Sequence, residues 1–259
     1  MKINQAFTIL QSAGGIRAAR IITNKFKNPS AIRVLWMARQ LRRGVPVAKI
    51  IHEKWFYGLA FYTNRFTLDP RPDTETLVSA VITDCADATA RRILDLGTGT
   101  GCVLGALVKN IAGTSGVGID RSRGAVRVAR RNMRTLGLGN RVTVLWRSFN
   151  TPQMPGAPFD IIVSNPPYIA RGDERVDDGA RHDPATALYA TNNGFGAYEK
   201  ISQNARTWLR PGGRIYLEIG ADMGPNVRDI FTRAGWTFIR AESDLGGILR
   251  VLVFEKQII

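Results

Sequence analysis

Beyond Pro70, short apolar runs alternate with helical patterns, and this alternation limits the fold more than any other feature of the chain. The runs are Ile93–Leu96, Gly116–Asp120, Val142–Leu145, Asp160–Ser164, Arg214–Ile219 and Leu249–Glu255, with helical patterns over Arg123–Thr135, Tyr198–Leu209 and Pro225–Ala234. Apolar strands separated by helices predict an α/β fold with a mostly parallel sheet covered on both faces. At 259 residues and 44% hydrophobic, the chain is long and apolar enough to bury such a core.

The first 52 residues read differently. They contain no acidic residue but ten lysines and arginines, so they carry +10 of the total net charge of +15. Ile32, Leu35, Trp36 and Ala38–Leu41 recur at roughly helical spacing, which predicts a small helical unit with a basic face over residues 1–52. Three readings stay open for it: a solvated appendage, a surface for the ribosome or RNA, and an organelle-targeting peptide. Residues 53–69 read as a hairpin linker around Phe56–Phe61, ahead of a main domain over 70–259.

With only Cys85, Cys102, His52 and His182, the chain lacks a Cys/His zinc cluster of the usual spacing, so no metal site is expected. No apolar run of membrane-spanning length occurs, and Met1–Gly14 does not have the form of a secretory signal. The expectation is a cytoplasmic protein without membrane contact, or a mitochondrial one if the acid-free start is a targeting segment.

Asp95-Leu-Gly-Thr-Gly-Thr-Gly101 stands where the first run ends, and its glycines let the backbone turn tightly and approach a ligand. Gly97, Gly99 and Gly101 are spaced by two and Cys102 stands at the third glycine position of the dinucleotide fingerprint. A Lys-Ser/Thr ending is also missing, so hydride transfer and nucleoside triphosphate binding both lose ground. Asp120, at the end of the next run, is placed to accept hydrogen bonds from ribose hydroxyls. Taken singly, the glycines could be only a turn and Asp120 only a helix cap. Together they suggest an adenosine moiety.

Asn165-Pro-Pro-Tyr168 follows the fourth run, at the sheet edge where open α/β folds place ligands. A planar amide nitrogen is a poor nucleophile because its lone pair is delocalised. The Asn165 side-chain oxygen and the Pro166 carbonyl could accept its two N–H groups and aim it at an electrophilic methyl, with Tyr168 packed against the plane. The bland alternative is a proline-stiffened turn with an exposed tyrosine.

In these motifs the chain resembles the S-adenosylmethionine-dependent methyltransferases with an Asn-Pro-Pro-Tyr motif, and among them the HemK/PrmC glutamine methyltransferases. The likeness rests on Phe56-Tyr-Gly-Leu59, Pro70-Arg-Pro-Asp-Thr-Glu75, Asp95–Gly101, Val163–Ile169, Asp183-Pro-Ala-Thr-Ala-Leu188, Pro211-Gly-Gly213 and Leu217-Glu-Ile-Gly220. Pro70–Glu75 is its specific part, since Asn-Pro-Pro-Tyr alone fits adenine or guanine amino-group methyltransferases equally.

The resemblance implies a Rossmann-like class I methyltransferase with a seven-stranded sheet and a small helical N-terminal domain. It implies S-adenosylmethionine as cofactor, held by Gly97, Thr98, Gly99, Thr100 and Gly101 at its methionine end, by Asp120 at the ribose and by Phe149 near the adenine, with Asn165 beside it. Asn165, Pro166, Pro167 and Tyr168 would bind and activate the glutamine of a Gly-Gly-Gln tripeptide in peptide chain release factors, and Phe56 would help enclose that side chain. The implied product is N5-methylglutamine.

The chain departs from the family pattern in three places. Ser148 replaces the acid that often precedes the adenine-side aromatic, Leu68-Asp69 replaces Leu-Ile before Pro-Arg-Pro, and the N-terminal region is short and unusually basic. The arginines of 121–147, with no acid among them, could track phosphates or form a solvated helix face, which keeps base methylation of RNA or DNA as the alternative activity.

Overall fold

A computed structural model describes residues 1–87, 90–170, 172 and 180–257. The chain begins with helices α1 (Ile3–Lys25), α2 (Ala31–Arg42) and α3 (Val47–Ile51), then a hairpin of β1 (Lys54–Phe56) and β2 (Leu59–Phe61). There follow α4 (Glu75–Asp84), β3 (Arg92–Leu96), α5 (Cys102–Asn110), β4 (Ser115–Asp120), α6 (Arg123–Thr135), β5 (Val142–Trp146) and β6 (Phe159–Ser164). A small excursion of β7 (Ile169–Ala170), α7 (Ala185–Leu188) and β8 (Tyr189–Ala190) precedes α8 (Gly196–Trp208), β9 (Leu209–Glu218), α9 (Gly224–Arg233), β10 (Trp236–Ser243) and β11 (Leu249–Lys256).

The central sheet has seven strands in the order β10-β11-β9-β6-β3-β4-β5. Strands β9, β6, β3, β4 and β5 run parallel, while β11 is antiparallel to both β9 and β10. Side chains alternate across the sheet. Ile93, Ile161 and Val163 face a core with α4, α5 and α6, whereas Leu94, Leu96, Phe159 and Ile162 face one with α8 and α9. Strand β10 is absent from the runs read in the sequence because its apolar character is broken: Thr237, Ile239, Ala241 and Ser243 are exposed, and the half-buried positions between them include Arg240, paired with Asp84 and Glu242. It is an edge strand of the sheet.

The N-terminal helices have their own core of Ala6, Leu10, Ala19, Ile22, Val34, Met37 and Ala38. The structure corrects the sequence reading of α2. Ile32, Leu35 and Trp36 are exposed, and the helix is rotated so that Val34, Met37 and Ala38 pack against α1. Lys49 likewise does not belong to a basic face. It is buried, with Nζ 2.8 Å from Asp69 Oδ1 and 2.9 Å from Asp183 Oδ1, and it donates to the Asn64 and Thr67 carbonyls. This gives the Leu68-Asp69 departure a physical role: Asp69 supplies one of the two carboxylates that neutralise Lys49 within the fold.

Candidate active site

Four parallel strands deliver the candidate residues to one edge of the sheet. Leu96 at the end of β3 is paired with Ser164 at the end of β6, so the glycine loop and Asn165 leave neighbouring strands at the same level. Asp120 ends β4 on one side and Glu218 ends β9 on the other. The strand order reverses between β3 and β6, which is the crevice where open α/β sheets bind ligands.

The glycine loop is tied down by its neighbours. Gly97 and Thr98 both donate N–H groups to the Ile119 carbonyl at 2.9 Å, and Gly99 N–H donates to Asp120 Oδ2 at 3.0 Å. Gly97, Gly99 and Gly101 all take left-handed backbone, with φ of 74°, 57° and 79°, which explains their spacing by two. Behind the loop, Thr98 Oγ1 donates to Asp95 Oδ2 at 2.6 Å. Burial pushes the Asp95 carboxyl up to about 7, with Asp120 adding to the rise. Asp120 is raised by burial too, against the pull of the Ser122 and Gly99 N–H groups. Burial pushes the Cys102 thiol up to about 12, which leaves it inert.

Asp95 yields a pH prediction. Its folded-state pKa lies above its unfolded value of 3.8, so its contribution to stability is fully present below 3.8 and is lost as pH rises toward about 7. Asp95→Asn removes that titration. Urea unfolding of the unliganded protein between pH 4 and pH 7.5 is expected to show a loss of stability with pH that is smaller in the variant, by on the order of 3 kcal/mol.

Two cavities meet at Asn165. One, of about 560 Å³, is lined by Gly97, Gly99, Asp120, Ser148, Phe149 and Pro167. The other, of about 670 Å³, is lined by Arg71, Asp73, Pro166, Tyr168, Phe195 and Glu218. Asn165, Leu68 and Ala187 line both. Asn165 Nδ2 donates to Thr74 Oγ1 at 3.1 Å, joining the Asn-Pro-Pro-Tyr segment to Pro70–Glu75.

That second segment is an organised junction. Arg71 pairs with Asp183 at 2.9 Å, Asp73 pairs with Arg250 at 2.8 Å, and Glu75 accepts the Tyr57 N–H at 2.8 Å. Tyr168 is held on both sides. A Cβ on Gly194, whose φ is 96°, would fall 2.4 Å from the Tyr168 carbonyl oxygen, and one on Gly220 would fall 2.9 Å from its ring. Burial and the nearby Glu218 push the Tyr168 phenol up to about 12, so it is neutral at pH 7 and serves as a packing surface.

The structure therefore brings Gly97, Gly99, Asp120, Phe149 and Asn165–Tyr168 to the cavity walls. Thr98 and Thr100 are buried behind the loop and Gly101 starts α5. Phe56 stands apart: it is buried against Phe61 in the core shared with α4 and α5, and it lines neither cavity. Thr74 and Glu218 were not singled out from sequence. The available signal for Glu218 was a lone carboxylate inside the apolar run Ile215–Ile219.

The comparisons agree with this architecture. The Methyltransferase domain family matches residues 88–232. The release factor glutamine methyltransferase of Agrobacterium fabrum is 39% identical over 86% of this chain and 79% of its own length. The chain belongs to the release factor glutamine methyltransferase family. Its Bradyrhizobium diazoefficiens member is 37% identical over 93% of this chain and 81% of its own length. In fold, the chain is similar to a T. thermophilus 16S rRNA methyltransferase solved with AdoMet and guanosine. The TM-score is 0.53 at 21% identity, covering 79% of this chain and 50% of the other, so the likeness spans about half of that protein.

Proposed function

We propose that this chain transfers the methyl group of S-adenosylmethionine to the side-chain amide nitrogen of the glutamine in the Gly-Gly-Gln motif of peptide chain release factors, in the cytoplasm. The observation that carries this reading is the Asn165 carboxamide shared by two cavities, in a chain whose relatives carry that activity in their names. Among the described residues no helix is long and apolar enough to cross a membrane.

The residues present fit the donor. A loop of left-handed glycines lines the first cavity beside an acidic acceptor, Asp120, and an aromatic ring, Phe149. Bound there, the donor supplies an electrophilic methyl on a sulfonium. Gly97 and Gly99 would present backbone without side chains to it, Asp120 would accept hydrogen bonds from its ribose hydroxyls, and Phe149 would pack against its base. From the second cavity, Asn165 Oδ1 and the Pro166 carbonyl accept the two amide N–H groups of the glutamine and turn its nitrogen toward the first cavity. Holding both reactants in line is worth about 7 to 11 kcal/mol, and acceptors on the amide protons stabilise the positive charge that develops on nitrogen. Residues 70–259 form the catalytic unit in this reading, and the basic helices of residues 1–52 face the release factor or the ribosome.

Mass spectrometry of a release factor incubated with the protein and S-adenosylmethionine is expected to show one added methyl on the tripeptide glutamine. Label appearing in nuclease-sensitive material instead would overturn the reading.

Ser148 supplies a further prediction. Its hydroxyl accepts the Asn150 N–H at 3.2 Å and forms a local turn in the wall of the first cavity. Ser148→Asp puts a carboxylate where an adenine amino group can donate to it. Because a hydrogen bond to a charged group contributes about 1.5 kcal/mol or more, donor Kd by isothermal titration is expected to fall about tenfold.

A further inference from the structure

Asn165 can serve an amide substrate only if its oxygen, and not its nitrogen, points toward that substrate. A free carboxamide can rotate, and the two ends are equal in size and opposite in hydrogen-bonding sense. The structure supplies a chain of acceptors behind it. Asn165 Nδ2 donates to Thr74 Oγ1 at 3.1 Å, and Glu218 lines the same cavity as Asn165; burial pushes its carboxyl up to about 7, and the neighbouring Thr74 and Asn165 side chains oppose that rise. Above that pH Glu218 is a carboxylate and only accepts, so the Thr74 hydroxyl hydrogen turns toward it and the Thr74 lone pairs turn toward the Asn165 nitrogen.

We propose that Thr74 and Glu218 are positioning residues that lock the Asn165 carboxamide with its nitrogen toward α4 and β9 and its oxygen toward the glutamine amide. The inference rests on the reading of Asn165 as the amide-binding group. It goes beyond that reading by assigning a task to two residues outside the Asn-Pro-Pro-Tyr segment.

Two further observations support it. Glu218 is buried at the end of an apolar strand, and among the described residues its Oε2 has no hydrogen-bond partner, an arrangement that costs stability and is tolerated where a site needs an acceptor. Arg250, whose charge favours the ionised Glu218, is also paired with Asp73 at 2.8 Å and with Asp244 at 2.8 Å, so its pull is shared among three acids. The lock also sets specificity. With its oxygen outward, Asn165 accepts from a glutamine amide and repels a glutamate carboxylate. A reversed Asn165 would do the opposite.

Three variants test the lock. Thr74→Val keeps the size of the side chain and removes the acceptor. It is expected to lower kcat by about 100-fold through misplacement of Asn165, with donor Kd changed less than about twofold. Thr74→Ser restores the hydroxyl and is expected to return most of the activity. Glu218→Gln keeps a carbonyl oxygen for Thr74 and is expected to retain far more activity than Thr74→Val.

A readout independent of turnover is hydrogen exchange of the Asn165 side-chain amide by NMR, with its signals assigned from their loss in Asn165→Asp. Exchange is expected to quicken by about tenfold in Thr74→Val, as one hydrogen bond is lost. Wild-type kcat in Thr74→Val, equal losses in kcat and donor affinity, or unchanged exchange would each overturn the proposal. If the wild-type protein leaves the release factor unmethylated, the proposed function falls, and the exchange comparison still decides how Asn165 is oriented.

Discussion

Asn165→Ala is expected to lower methyl transfer by about a thousandfold or more while leaving donor Kd within about threefold of wild type. A single preorganised polar group aimed at developing charge accounts for about 100- to 1000-fold, and loss of substrate alignment adds to it. Donor affinity survives because the glycine loop and Asp120 are held by bonds that do not involve Asn165: Gly97 and Thr98 to Ile119, and Gly99 to Asp120. Single-turnover rates with a release factor and isothermal titration with the donor separate the two effects. Equal losses in both would mean that Asn165 supports the donor cavity rather than the acceptor.

The largest stability effect is expected at Lys49. Its ammonium lies between the buried carboxylates of Asp69 and Asp183, and removing one member of a buried ion cluster costs about 3 to 5 kcal/mol because the partners are left uncompensated. Lys49→Met should show this loss as a lower urea midpoint at pH 8. Burial already raises the Asp183 carboxyl above its ordinary value, in spite of Lys49 and Arg71. Without Lys49 it rises further.

A raised folded-state pKa stabilises below the unfolded value and loses that contribution as pH rises, so the Lys49→Met defect should be smaller at pH 5 than at pH 8. Asp183→Asn in the Lys49→Met background removes one stranded charge and should recover part of the midpoint. A midpoint within about 1 kcal/mol of wild type in Lys49→Met would refute the assignment of Lys49 as a buried counter-ion.

What could be read from the sequence was local. The runs at 93–96, 116–120, 142–145 and 160–164 each lie within a strand, and α6 spans Arg123–Thr135 as its pattern predicts, because spacing between near neighbours sets both. The glycine loop and Asn165 were legible for the same reason: each follows a strand, and parallel strands put their ends on one side. The partners of Lys49 were not legible, since Asp183 lies far along the chain and an acid-free stretch gives no hint that one of its cations is buried. Thr74 and Glu218 lie in Pro70–Glu75 and Leu217–Gly220, segments that the sequence marks out, but their meeting with Asn165 is a tertiary contact that spacing does not reveal. Phe56 was misleading in the opposite sense. The resemblance implies that it encloses the glutamine side chain, whereas the hairpin folds it inward onto Phe61.

Lys49 belongs to the third helix, whereas its carboxylate partners lie after the β1–β2 hairpin, at Asp69, and just ahead of α7, at Asp183. A shared electrostatic bond therefore ties the N-terminal helices to the chain that follows them. A protein engineer cutting the chain after α3, to obtain a minimal catalyst or to graft a different recognition module, would remove the ammonium shared by two buried acids and leave them Arg71 and the Thr63 hydroxyl. Any such redesign has to carry a replacement cation with it or neutralise both acids.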